Sequence, residues 1–271
     1  MASIKEVLHK SALILSKSVR NPKKEAMILL REFSGKSDTF LIAHDEAQVD
    51  DEEGFFAWVK RRAEHTPLEY ITQKVSFYSR EFAIKEGVLV PRPETEVLVD
   101  KAVELIKELK ASHIAEIGTG SGVISVMLAI LLPDITIDAS DISPEAIELA
   151  KTNAKKFGVE GRIKFHLTSY LDGIKTPDII ISNPPYISTK EELERHVLNE
   201  PHSALFGGEQ GDEMLRDIIL LAKQRGVLAL ACEMGYDQRN TLEMFFKEQN
   251  IKNYSFYQDL SGLDRGFIVK G

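Results

Sequence analysis

Asn183-Pro184-Pro185-Tyr186 ends the apolar run 177–182 with an amide, two rigid residues and an aromatic ring. Proline cannot donate to a strand's hydrogen-bond ladder, so a buried strand has to stop there. The four residues suit one kind of chemistry, methylation of an amide or aromatic amine. A sulfonium methyl donor leaves readily, but such a nitrogen is a poor nucleophile because its lone pair is delocalised. Two fixed acceptors, the Asn183 side-chain oxygen and the Pro184 carbonyl, can hold the NH2 group by its hydrogens and turn the lone pair toward the methyl carbon. Proline rigidity keeps that carbonyl in place, with Pro185 completing the turn. Tyr186 supplies a flat wall against a planar group. No general base is required, and none of the seven histidines forms an evident catalytic pair.

A second constellation lies upstream in EIGTGSG, residues 116–122. Gly118, Gly120 and Gly122, with Thr119 and Ser121 between them, let the backbone pass close to a ligand between a strand and a helix. A dinucleotide fingerprint would need glycine where Val123 stands, and no Gly-Lys-Ser/Thr follows to make a P-loop. A carrier without a pyrophosphate fits, and S-adenosyl-L-methionine, released as S-adenosyl-L-homocysteine, is the expected cofactor. Asp141 ends the next strand, where a carboxylate can accept from both ribose hydroxyls. Its alternative is to cap the helix that begins at Ser143-Pro144. Glu116 can hold the glycine loop or reach the cofactor's amino group. Tyr170, beyond the third strand, can stack on an adenine or simply pack.

These residues need a frame. Strand patterns fall at 113–117, 135–140, 162–167, 177–182, 227–233, 253–257 and 266–270. Helical patterns lie between the earlier ones, including 144–157. Such alternation predicts an α/β fold, a doubly wound and mostly parallel sheet covered on both faces. The first 75 residues read instead as three helices, the third opening on Asp50-Asp51 and closing on Lys60-Arg61-Arg62, as the helix dipole favours. Residues 75–96 alternate apolar and polar around Gly87, which predicts a short hairpin. The expected division is a helical domain at 1–74, a hairpin linker at 75–92 and a catalytic domain at 93–271.

Composition narrows the partners. The chain of 271 residues is 43% apolar and 28% charged, with a net charge of −8. Residues 1–75 hold twelve basic and twelve acidic side chains, so the whole excess of negative charge falls on the remainder. A protein that grips duplex DNA by its phosphates presents a basic surface, so no direct DNA binding is expected. The longest apolar stretch, 123–132, is too short to span a bilayer, and Lys5, Glu6 and Lys10 interrupt the N-terminus, so no membrane association or secretion is expected. A single cysteine, Cys232, rules out an internal disulfide and a cysteine-rich metal site; it reads as a small buried residue in a cytoplasmic protein. No metal is expected.

Seven segments in order carry a resemblance: PLEYIT (67–72), FYSREFAI (77–84), VLVPRPETE (88–96), EIGTGSG (116–122), DISPEAI (141–147), SNPPYI (182–187) and EPHSALFGGEQG (200–211). Together they resemble the protein-(glutamine-N5) methyltransferases of class-1 peptide-chain release factors, the HemK/PrmC family. The resemblance covers about residues 60–240 and implies a Rossmann-like methyltransferase sheet behind a small helical domain that recognises the substrate. It implies cofactor contacts at Gly118–Gly122, Asp141, Tyr170 and Asn183, and a glutamine-holding motif at Asn183, Pro184, Pro185 and Tyr186. Glu116 stands where many relatives have aspartate, and Ser169 where an acidic residue is common. Glu200 and Pro201 shape the substrate mouth or form a surface loop, and residues 92–96 cover the cofactor or start a helix. The implied partner is a release factor offering the glutamine of a Gly-Gly-Gln loop to a monomeric enzyme. Asn-Pro-Pro-Tyr is shared with amino-methylating DNA enzymes, so a DNA adenine-N6 methyltransferase is the alternative.

Overall fold

The computed structural model describes residues 2–194 and 197–271. Two compact units emerge, Met1–Lys74 with Leu193–Asn199, and Val75–Glu192 with Glu200–Gly271.

The first unit is helical: α1 (Ile4–Leu15), α2 (Pro22–Ser34), α3 (Asp38–Ala43), α4 (Glu52–Ala63) and α5 (Leu68–Thr72). Local chemistry sets each boundary. Ser3 and Glu6 form a capping box at α1, Gly35 ends α2 at φ 66°, and the Asp51 carboxylate accepts from the Gly54 amide 2.9 Å away at the start of α4. Their apolar faces meet in a core around Leu15, Leu29, Leu30 and Phe55. Helices α3 and α5 were not among the three expected. They have six and five residues, so neither is long enough to show a helical period.

The second unit opens with the hairpin β1 (Lys74–Phe77) and β2 (Arg80–Ala83). Its turn is made by Tyr78 and Ser79, at φ 55° and 57°, rather than by a glycine. Two positive φ angles match the twist of a tight hairpin but are costly for non-glycine residues. The Tyr78 amide donates to Glu96 at 2.7 Å and its hydroxyl donates to Asp100, which offsets that cost.

Then follow α6 (Thr95–Leu109), β3 (His113–Ile117), α7 (Val123–Leu131), β4 (Thr136–Asp141), α8 (Pro144–Lys156), β5 (Ile163–Leu167), β6 (Ile179–Ser182), β7 (Ile187–Ser188), α9 (His202–Leu205), β8 (Phe206–Gly208), α10 (Glu213–Arg225), β9 (Ala229–Glu233), α11 (Arg239–Glu248), β10 (Tyr254–Gln258) and β11 (Asp264–Lys270). All seven expected strands enter one sheet in the order β10-β11-β9-β6-β3-β4-β5. β9, β6, β3, β4 and β5 run parallel, while β11 is antiparallel to β9 and β10 to β11. The doubly wound, mostly parallel sheet is therefore present. Burial on both faces explains the near-continuous apolar runs of β6 and β9, every residue of which is buried. From β3 the chain winds outward through β4 and β5, then returns to β6 on the other side of β3. That reversal opens a crevice at the carboxyl edge. The unexpected pair β7 and β8 forms a two-stranded parallel sheet.

Asn153, fully buried on α8, ties this frame together. Its oxygen accepts from Ala83 N at 2.8 Å, and its amide donates to Ala83 O at 3.0 Å and to Ser121 O at 2.8 Å. One side chain thus joins the hairpin to the glycine loop. Asn153→Ala leaves three backbone groups without partners and should lower the unfolding free energy by about 3 kcal/mol. Urea unfolding measures this; a loss under about 1 kcal/mol would contradict the role of those bonds.

Candidate active site

A cleft at the carboxyl edge encloses roughly 890 Å³ of empty space, part of it open to solvent. Gly118 and Gly120 from the turn after β3, Asp141 from the end of β4, Tyr170 beyond β5, and Asn183 and Pro185 beyond β6 all line it, with Pro201 at another wall. Gly118 and Gly120 have φ of 73° and 55°, a region most side chains avoid, and no heavy atom lies within 4 Å of where their Cβ atoms would be. The turn thus bares its backbone to the cleft.

Asp141 accepts from Gly120 N through Oδ2 and from Ser143 N through Oδ1, both at 2.9 Å. Ser143, not Asp141, caps α8. Each carboxylate oxygen keeps acceptor capacity for a hydroxyl. Among the described residues no lysine, arginine or histidine lines the cleft to grip a phosphate. The residues present suit a ligand that brings a ribose and an apolar ring. Tyr170 takes φ 48°, and its hydroxyl donates to Asp217 at 3.0 Å. Burial, then that carboxylate, raises the phenol to about 12, so it stays protonated.

Asn183 donates through Nδ2 to the Thr95 hydroxyl at 3.1 Å. Among the described residues no donor reaches Asn183 Oδ1 or the Pro184 carbonyl. Tyr186 is held at both ends: its hydroxyl donates to Glu233 Oε1 at 3.1 Å, and its carbonyl accepts from Gln238 Nε2 at 2.8 Å. Behind the turn, a Cβ on Gly207 would lie 2.4 Å from the Pro185 oxygen, and one on Gly211 would lie 2.7 Å from the Tyr186 oxygen. Gly207 and Gly211 leave room for the turn, which a side chain at either position would fill.

Two acids lie under the site. Glu116 is buried, and its Oε2 accepts from Thr119 Oγ1 at 2.8 Å, from Ser125 N at 3.1 Å and from the Ser125 hydroxyl. Burial pushes its carboxyl up to about 8, against the pull of those bonds. Glu233 is buried beneath Tyr186 and raised to about 7, again by burial first, while the Thr95 and Tyr186 hydroxyls and the Arg265 charge pull it down.

Not every residue singled out reaches the cleft wall. Glu116, Thr119, Ser121, Gly122, Pro184, Tyr186 and Glu200 are not on it. Gly122 packs against Ala150, whose Cβ would be 2.9 Å from an added Cβ. Glu200 accepts from Val90 N at 2.9 Å and from Arg92 Nη2 at 2.5 Å, so it is an internal anchor of the segment that carries Pro201. Glu233 and Gln238 went unnoticed in the sequence, and Thr95 stood out only as one of residues 92–96. The available signal was a lone acid ending the apolar run of β9 at the same edge as Asn183.

A family model for the methyltransferase small domain matches residues 95–209, and one for the PrmC N-terminal domain matches residues 6–72. The release factor glutamine methyltransferase of Coxiella burnetii is 32% identical over 276 residues, covering 100% of this chain and 99% of its own. This chain belongs to the release factor glutamine methyltransferase family. A bifunctional methyltransferase of Rickettsia typhi is 35% identical over 97% of this chain, which spans only 56% of that relative's length. Among solved structures, the N-terminal domain of human METTL16 in complex with SAH shares the sheet architecture of this family member, with a TM-score of 0.54, 18% identity, and coverage of 70% of this chain and 75% of that one.

The raised acids give a stability prediction. Folding favours the protonated form of Glu116 and Glu233, so each contributes stability that is fully present below the ordinary carboxyl value of 4.5 and is lost as pH climbs to about 8 and about 7 respectively. Melting temperature should therefore fall from about pH 5 to about pH 8, and Glu116→Gln should flatten the slope. Thermal denaturation across that range checks it, and an unchanged slope in the variant would contradict the burial-driven shift.

Proposed function

We propose that this chain transfers a methyl group to the side-chain amide nitrogen (N5) of the glutamine in the Gly-Gly-Gln loop of class-1 peptide-chain release factors. The observation that carries this reading is Asn183 on the wall of a cleft suited to a ribose-bearing cofactor, with no donor among the described residues at its Oδ1 or at the adjoining Pro184 carbonyl. Bound there, S-adenosyl-L-methionine supplies the methyl on a cationic sulfonium and leaves as S-adenosyl-L-homocysteine.

The chain's own residues do the rest. The Gly118–Gly122 turn carries the cofactor against its backbone, Asp141 accepts from the ribose hydroxyls, and Tyr170 walls the adenine. Asn183 Oδ1 and the Pro184 carbonyl accept the two amide hydrogens of the glutamine, so its nitrogen lone pair points at the methyl carbon. Tyr186 supports the planar amide, and Glu200 holds Pro201 at the mouth. The nitrogen's surplus proton is lost to water after the N–C bond forms, so no side chain has to act as base.

In this reading residues 1–74 recognise the protein substrate, 75–92 link, and 93–271 catalyse, in a cytoplasmic monomer. The same two acceptors would hold an adenine amino group, but the negative excess on residues 76–271 disfavours the phosphates of DNA.

Incubation with S-adenosyl-L-methionine and a class-1 release factor should place one methyl on the Gly-Gly-Gln glutamine, mapped by mass spectrometry; no modification of any release factor would refute the substrate. Asn183→Ala should still bind cofactor yet lose rate by about 10²–10³, the scale of a lost preorganised contact. Normal turnover in that variant would refute its role.

A further inference from the structure

The turn between β10 and β11, DLSGL at 259–263, takes no part in the chemistry described so far. Asp259 ties it from within. Its amide donates to Leu263 O at 2.9 Å, and its carbonyl accepts from Gly262 N at 3.0 Å. Its carboxylate accepts from Ser261 N at 2.9 Å and Leu263 N at 3.1 Å through Oδ1, and from Arg265 Nε at 3.1 Å and Nη2 at 2.8 Å through Oδ2. Gly262 supplies the one left-handed conformation the turn needs, at φ 79°. Yet Leu260, at the tip, is fully exposed, and Leu263 is 46% exposed. In a loose loop a leucine can fold back onto the protein. This tip is bonded in place, so Leu260 is held out in water at the cost of its apolar surface.

The sheet puts this tip beside the substrate turn. β6 and β9 pair as far as Ser182 opposite Cys232, and β11 enters next to β9 with Gly266 opposite Glu233. The 259–263 turn therefore rises from the same carboxyl edge as Asn183, two strands along. Hydrogen bonds make the connection continuous. Arg265 O accepts from Met234 N at 2.9 Å, Gly235 N donates to Gln238 Oε1 at 2.9 Å, and Gln238 Nε2 donates to Tyr186 O at 2.8 Å. The loop 234–238 thus runs from β11 to the Asn183–Tyr186 turn, and it presents Tyr236, 61% exposed. Tyr236, Leu260 and Leu263 stand on one frame with the residues that hold the glutamine.

We propose that Tyr236, Leu260 and Leu263 form a docking surface for the folded protein substrate, seated in an apolar depression of the release factor beside its Gly-Gly-Gln loop while Asn183 receives the glutamine. This rests on the substrate named above. A leucine on a projecting tip lines no pocket of its own; it fills a depression on a macromolecule, as interface anchors do. The arginines at the base of the tip are engaged, Arg265 with Asp259 at 2.8 Å and Arg239 with Asp264 at 3.2 Å, so neither is left to grip a phosphate. Exposed Asp237 adds negative charge next to Tyr236. A protein fits this surface and a nucleic acid does not. A glutamine between glycines offers little apolar area of its own, so contacts remote from the reacting amide have to supply affinity. Anchors already fixed by the fold lose little freedom on binding.

The test uses the full chain, S-adenosyl-L-methionine and a class-1 release factor. Leu260→Asp and Tyr236→Ala should each raise KM for the release factor about 10- to 30-fold, the scale of one lost interface anchor, with the effect on KM rather than on kcat. Leu260→Ser, which removes the apolar group without adding charge, should raise KM in the same direction. Leu228→Asp places the same charge on an exposed leucine at the opposite end of β9 and should leave KM at the wild-type level. Melting temperatures equal to wild type show that the Leu260 variants are folded, as full exposure of that side chain predicts. A wild type that methylates the release factor with KM indifferent to the Leu260 and Tyr236 variants overturns the docking surface and leaves the proposed function standing. An equal rise in Leu228→Asp overturns it too, because added charge alone would then explain the loss. Sedimentation that shows wild-type self-association abolished by Leu260→Asp assigns the tip to a second copy of the chain and likewise overturns it. A wild type that neither binds nor methylates a release factor removes the proposed function, and the docking surface with it.

Discussion

The parallel pairing of β3 with β6 is the constraint on which the site depends. These strands are more than sixty residues apart in sequence, yet Ile117 stands opposite Ser182 in the sheet. Each is the last strand residue before a turn, so the glycine loop and Asn183 emerge side by side. A register slip of one residue would reverse every side chain between the two faces and break that alignment. Burial on both sides prevents such a slip, because β3 and β6 are apolar on each face apart from His113, Glu116 and Ser182. All three are bonded: His113 pairs with Asp138 at 2.6 Å, and Ser182 donates to Ile117 O at 2.7 Å, tying the two turns a second time.

Burying an acid under each half of the site is costly, and the cost shows in the raised carboxyls of Glu116 and Glu233. Glu116 orders the glycine loop through Thr119 and the start of α7 through Ser125. Glu233 orders Tyr186 by accepting from its hydroxyl. In both cases the acid lies behind the cleft wall, where it can fix neighbouring dipoles without presenting its own charge to a ligand. A site that works by holding an amide still gains from fixed dipoles more than from a group that moves protons.

Much of this was legible in the chain. Strands buried on both faces, β6 and β9, leave uninterrupted apolar runs, and the edge strands β5 and β10 leave shorter mixed patterns, so all seven were legible, as were the long capped helices. The glycine turn, Asp141 and Asn183 announced themselves because their residue types are unusual at strand ends. What stayed hidden depends on tertiary placement. The hairpin turn at Tyr78-Ser79 carries no glycine signal, since Glu96 and Asp100 stabilise it from α6. Thr95 and the pair Glu233 and Gln238 sit in two segments distant in sequence, and only the strand order brings them to Asn183 and Tyr186. Glu200 looked like a mouth residue and is an internal anchor, a distinction that burial makes and spacing cannot.

Gly207 and Gly211 have a wider consequence. Backbone oxygens of Pro185 and Tyr186 occupy the space their side chains would need. Sequence drift is closed off at both positions by shape, and at Gly211 also by a φ of 89°, although neither residue lines the cleft. Invariance across relatives would therefore be a poor guide to chemistry on this loop: selection would guard the glycines as strictly as Asn183, but for the room they leave.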